Sequence, residues 1–186
     1  MKTKTRCITE GGLMIAAALV LSYFKIQFLQ AGSINFCMVP LIIFAVRWGL
    51  GWGVVAGAIF GTLKYFLAGG FALNIASFFL DYSVAYAAVG AAGLMKDKKL
   101  GLPIGALIGC FCRFIIHFIS GITIYKILAP TELFGHTYSS ATLFSVVYNG
   151  SYMLPSTIAC VVVCALLYKP LEKYLGSAEY QKSSER

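Results

Sequence analysis

The sequence predicts an all-α integral membrane protein with six transmembrane helices and both termini in the cytoplasm. Three observations lead there. Of 186 residues, 59% are apolar and only 12% charged, and the mean hydropathy is +0.81, whereas soluble domains carry about 25% charged residues. The apolar residues fall into runs of about 20, the length that spans a bilayer core, and the chain has room for about six of them. The basic residues alternate between the ends of these runs: Lys2, Lys4, Arg6, Arg47, Lys96, Lys98, Lys99, Lys169, Lys173, Lys182 and Arg186 on one side, Lys25, Lys64 and Lys126 near the other. The richer side is the cytoplasmic one by the positive-inside rule.

The first helix is expected from Ile8 to Phe28. Its start mimics a secretory signal, but the run continues into aromatics and Lys25 without a small-residue cleavage site, so it reads as retained. Gly12 and Ala16, followed by Ala17, Ala18 and Ser22, form a small-residue face suited to another helix. After the polar link Gln30 to Asn35, a second helix runs to Val46 with Pro40 in its first turns, and Arg47 and Trp48 mark the interface. The third, Trp52 to Leu67, carries Gly53, Gly57 and Gly61 on one face, which lets a neighbouring backbone approach. Gly69 and Gly70 break the chain before a fourth helix, Ala72 to Met95. The charged link Lys96–Lys99 precedes a fifth, Leu102 to Ile124. A loop from Leu128 to Ser140, long enough to lie over the membrane surface as a lid, leads to a sixth helix from Ala141 to Tyr168, which Pro170 is expected to stop. Residues 1–175 read as one transmembrane domain and 176–186 as a polar cytoplasmic tail.

Within the fifth run, CFCRFIIHFISG places Arg113 and His117 four residues apart on one helical face. An arginine at mid-span costs a few kcal/mol and must face protein or water. Asp81 and Asn149 are the polar partners available in other runs. With both termini inside, Asp81, His117 and Asn149 each lie about 10–13 Å below the external face, counted at 1.5 Å per residue, and Arg113 lies a turn deeper. Tyr82, Tyr125, Phe144 and Tyr148 crowd the same level. An outward-opening pocket with an aromatic wall and a charged floor fits these positions.

Such a set suits an organic ligand with a cationic or hydrogen-bonding heteroaromatic ring. Asp81 opposes positive charge, aromatics cover ring faces, Arg113 holds Asp81 ionised, and His117 and Asn149 read ring nitrogens or an amino group. An intramembrane hydrolase is the competing class, but GxSxG and HExxH are missing, so no enzyme, metal or cofactor is expected. The net charge of +8 does not point to nucleic acid, because no basic face is interleaved with aromatics. The six cysteines form no CxxC pair and read as small buried hydrophobes.

In ITEGGLMIAAAL, VPLIIFAVRWGLGWGVVAGAIFG, LDY, RFIIHFISGI and YNG, nearly the whole chain resembles the S components of energy-coupling factor (ECF) vitamin transporters, specifically the thiamine-binding type. The resemblance implies a cell-membrane protein that takes up thiamine with a transmembrane coupling subunit and ATPase subunits. The chain itself has no Walker motif. Asp81 and Tyr82 would sit by the vitamin, Arg113 and His117 beneath or beside it, and Tyr125, Phe144 and Asn149 would complete the pocket. Gly12 and Ala16 would dock on the coupling subunit. Departures are Asp81 for the family's Glu, Arg113 for Lys, Tyr125 for Trp and Phe144 for Tyr. A further family glutamate before the second helix is replaced, with Asn35 the nearest candidate. The shorter Asp81 and the missing phenol at Phe144 leave a pyrimidine or thiazole precursor, or another vitamin, as the alternative ligand.

Overall fold

The computed structural model describes residues 2–27, 33–124 and 132–176. In chain order these form α1 (Lys2–Tyr23), a hairpin of β1 (Lys25–Gln27) and β2 (Ser33–Asn35), α2 (Met38–Trp48) and α3 (Leu50–Leu67). A composite helix α4 (Ile75–Met95), α5 (Gly101–Thr123), a second hairpin of β3 (Glu132–Leu133) and β4 (His136–Thr137), and α6 (Ala141–Leu175) follow. Five of the helices are long and apolar enough to cross a membrane, and their outward faces carry large exposed side chains such as Leu13, Val20, Phe111 and Leu166. An apolar exterior of this kind is stable against lipid and not against water.

The exception to span length is α2. At 11 residues it covers about 16 Å, roughly half a bilayer core. Every residue from Met38 to Val46 is buried, as expected of a helix that is apolar all round. It is the central pillar, contacting α1, α3, α4, α5 and α6. Pro40 falls in its first turn, where the missing N–H breaks no helical bond, and the Asn35 side chain accepts a hydrogen bond from the Cys37 amide (3.2 Å).

Helix α3 packs on α4 through the predicted glycine face. Gly57 lies against the carbonyl of Tyr86 and Gly61 against that of Tyr82, so closely that a Cβ at either position would strike backbone.

Four boundaries differ from expectation. Helix α1 begins at Lys2 and ends at Tyr23, not at Ile8 and Phe28, because the chain turns into the β1–β2 hairpin. Helix α4 begins at Ile75, not Ala72, where Asn74 forms a reciprocal cap with Ser77. It is not uniform: a π turn (Phe79–Val84) is followed by an α segment and a 3-10 end (Gly90–Met95). Helix α6 passes through Pro170 to Leu175. Proline costs about 3 kcal/mol inside a helix, but Leu171, Tyr174 and Leu175 pack against the core, and the Tyr174 hydroxyl donates to Glu10 (2.9 Å).

Glu10 is the hub of that end of the bundle. Its carboxylate accepts from Arg6 Nε and Arg47 Nε (2.7 Å each) and from Trp48 Nε1 (2.8 Å), and the Arg47 guanidinium lies 3.8 Å from the centre of the Tyr174 ring. Three helices are thereby tied through one carboxylate.

Candidate functional site

At the other end of the bundle, α5 presents Arg113, His117 and Ser120 along one buried stripe, a spacing of four and then three residues that keeps them on one face. Facing it is the π turn of α4. Positions five apart on an α-helix diverge by about 140°, but the wider turn reduces that divergence and lets both Asp81 and Tyr86 meet α5. Asp81 Oδ1 lies 3.2 Å from His117 Nδ1, and the Arg113 guanidinium lies 4.3 Å from the Tyr86 ring centre. π turns of this kind recur at functional sites.

The sequence pairs Arg113 with Asp81; the structure does not. His117, one turn closer on the α5 stripe, takes the carboxylate. Arg113 instead donates from Nη1 to the thioether of Met38 (3.1 Å) and stacks on Tyr86. His117 therefore orients Asp81, as an imidazole held by a carboxylate does in many sites.

Asn149 lies beside this cluster, and its amide is engaged by protein. Nδ2 donates to the Ser145 carbonyl (3.0 Å), to Ser145 Oγ (3.2 Å) and to the His117 carbonyl (3.4 Å), while Oδ1 accepts from the Tyr152 hydroxyl (2.9 Å). Asn149 thus fastens α6 to α5 behind His117 and leaves only a remaining lone pair on Oδ1 for another donor. Gly121 makes this approach possible, since a Cβ there would collide with Ser145.

The aromatic residues expected at this level fall into two groups. Phe144 stacks on Tyr148 (centroids 5.7 Å, interplanar angle 15°), with Tyr138 and Tyr152 at either end of the column. Tyr82 belongs to a second group: its hydroxyl is held by the Phe71 backbone N–H (2.7 Å) and its ring meets Tyr65 (5.1 Å). Asp81 and Tyr82, adjacent in sequence, thus belong to different groups, the one meeting His117 and the other Phe71 and Tyr65. Asn35 is buried, donating to Ser33 Oγ (3.2 Å), and reaches the cluster through Cys37. Tyr125 and the first part of the expected lid, 128–131, lie outside the described residues; 132–137 form the small β3–β4 hairpin. Gly12 and Ala16 are exposed on α1, with open space around Gly12.

Lys64, Tyr86, Ser120 and Tyr152 are the members that sequence reasoning missed. Lys64 read as a basic residue near the external end of a span, but its half-buried side chain turns inward and its ammonium donates to the Tyr86 hydroxyl. The available signal was its spacing: three residues beyond Gly61 and seven beyond Gly57, it shares the face that packs on α4. Among the described residues, three buried polar atoms here have no hydrogen-bond partner: Arg113 Nε, His117 Nε2 and Ser120 Oγ. All three sit on the α5 stripe. Native proteins leave few such atoms unsatisfied, which makes this stripe the candidate ligand-facing surface. Among the described residues, no group of three or more His, Cys, Asp or Glu side chains is placed to hold a metal ion.

Comparison with known proteins is consistent over almost the full length. Residues 8–175 match the family model described as thiamine transporter protein. The thiamine transporter ThiT of Bacillus subtilis (strain 168) is 30% identical over 186 aligned residues, covering 91% of this chain and 94% of the relative. The thiamine transporter ThiT of Lacticaseibacillus paracasei is 29% identical, covering 86% and 85%. Among solved structures, ThiT from Listeria monocytogenes superposes with a TM-score of 0.81 at 21% identity over 94% of this chain and all (100%) of that one. The S component of a bacterial ECF transporter gives 0.62 at 16% identity over 94% and 99%. These two likenesses establish the fold.

Proposed function

The chain belongs to the thiamine transporter family matched over residues 8–175, and from that premise we propose that it is the membrane-embedded, thiamine-binding S component of an ECF transporter. It serves uptake, not catalysis. The observation that carries the reading to this site is the Asp81 carboxylate, drawn into an apolar bundle at the π turn and held 3.2 Å from His117. A carboxylate withdrawn from solvent is costly unless it meets positive charge, and thiamine is a cation with a flat heteroaromatic ring. Asp81 opposes the thiazolium, His117 Nε2 and Ser120 Oγ supply polar contacts, and the Phe144–Tyr148 column covers a ring face. Arg113 and Lys64 line the floor, Asn149 sets the position of α5, and Tyr82, Tyr125 and Asn35 border the pocket.

In this reading α2 counts as a sixth, shortened span, both termini are cytoplasmic, and the cluster opens outward from the cell membrane. Residues 1–175 form the substrate-binding unit, with 176–186 as a cytoplasmic tail. The exposed Gly12 and Ala16 let a coupling-subunit helix approach α1 closely, and ATP hydrolysis is supplied by separate subunits.

Calorimetry on the detergent-purified subunit tests the ligand. Saturable thiamine binding that is lost in Asp81→Asn is expected. Binding of the isolated pyrimidine or thiazole in place of thiamine would keep the site and replace the ligand. No binding of any of the three would sink the reading.

A further inference from the structure

The floor of the site carries more positive charge than its protein partners offset. Helix α3, brought close to α4 by Gly57 and Gly61, delivers the Lys64 ammonium to the Tyr86 hydroxyl, 4.8 Å from the ring centre. Arg113 approaches the same ring at 4.3 Å, so the two cations lie within about 9 Å of each other. Among the described residues, their polar partners are neutral: the Tyr86 phenol and the Cys37 thiol (3.9 Å) for Lys64, the Met38 thioether for Arg113. Among the described residues no carboxylate lies within ion-pair distance of either, and Asp81 is taken by His117. Arg113 is only 8% exposed, and its Nε has no acceptor. Phenol rings and sulfur atoms moderate a buried charge without cancelling it. A cationic ligand bound at this cluster adds to the excess.

We propose that Lys64 and Arg113, with Tyr86 beside them, form an anion subsite in the floor of the proposed ligand site. It takes a small anion, either a free halide that enters with the cationic vitamin or the acidic group of a phosphate ester of that vitamin. This rests on the reading of the cluster as a ligand site. Ammonium and guanidinium donors suit either source, because both present charge and N–H groups to a compact acceptor. The anion offsets the two cations, while Asp81, held by His117, opposes the ligand's own charge.

The test compares chloride with gluconate, a much bulkier anion, at equal ionic strength on the purified subunit. Without vitamin, chloride is expected to raise the unfolding midpoint of the wild type, since an ion that binds the folded state stabilises it. With vitamin, chloride is expected to tighten binding about tenfold. Lys64→Met loses both effects and Lys64→Arg keeps them. If the ligand brings the anion, the phosphate ester binds the wild type in gluconate more tightly than the plain vitamin does, and Lys64→Met abolishes that preference. A wild type indifferent to chloride in both measurements, and without preference for the ester, overturns the subsite whether or not Lys64→Met folds. The vitamin-free midpoint decides the free-anion form even where thiamine itself fails to bind, which separates this inference from the function it builds on.

Discussion

Two clusters of charge, one at each end of the bundle, show how differently a membrane protein treats buried polar groups. Around Glu10, at 14% side-chain exposure, one carboxylate meets two guanidinium groups, an indole N–H and a phenol, all within 2.9 Å by their shortest contacts. Around Arg113 the balance is inverted: among the described residues, two cations meet neutral partners, the nearby carboxylate belongs to an imidazole, and three polar atoms are unpaired. A saturated network rigidifies; an unsaturated one has a remaining demand that only something from outside can meet. The first is a clamp on α1, α2 and α6, and the second is the cluster proposed to receive the ligand.

That contrast is sharpest at the two carboxylates. Asp81→Asn is expected to weaken thiamine binding by about 100-fold or more, about 2.7 kcal/mol, with little change in unfolding midpoint, read by calorimetry and thermal unfolding on the same preparation. Glu10→Ala is expected to do the reverse. It strands Arg47 among packed side chains and destabilises the fold by about 2–4 kcal/mol, while the affinity of the surviving folded protein stays within about twofold. Equal losses of affinity in both variants would erase the distinction between clamp and receptor.

Gly121→Ala probes the seam between the two kinds of behaviour. Its Cβ would force Ser145 away from α5 and loosen the Asn149 contacts beside it, so a destabilisation of about 1–3 kcal/mol is expected, with affinity falling as His117 is displaced. A stable variant with unchanged affinity would show that α6 yields without disturbing the site. Ser120→Ala carries the smallest effect. Removing a buried hydroxyl without a partner leaves stability unchanged or raised, while the vitamin's affinity drops about three- to tenfold, or about 1 kcal/mol. Unchanged affinity would make Ser120 a packing residue.

Much of this was legible in the chain because the governing forces are local or compositional. Twenty apolar residues in a row need no partner to declare a span, and glycines at four-residue intervals declare a packing face. Arg113 and His117 share a stripe by helical periodicity alone. Asp81 and Asn149 stood out because an uncovered polar group inside lipid is expensive wherever it occurs. The resemblance in LDY, RFIIHFISGI and YNG pointed to the same residues.

What the sequence by itself determined, then, is the membrane solvent, the helical spans and the identity of most polar residues that had to converge. Only the tertiary structure decided who pairs with whom. The π turn that turns both Asp81 and Tyr86 toward α5, the choice of His117 over Arg113 as partner of Asp81, the inward turn of Lys64 and the persistence of α6 through Pro170 each depend on contacts between segments distant in the chain. A few kcal/mol of such packing outweighs a local rule. Periodicity states which face a side chain occupies, but not what stands opposite.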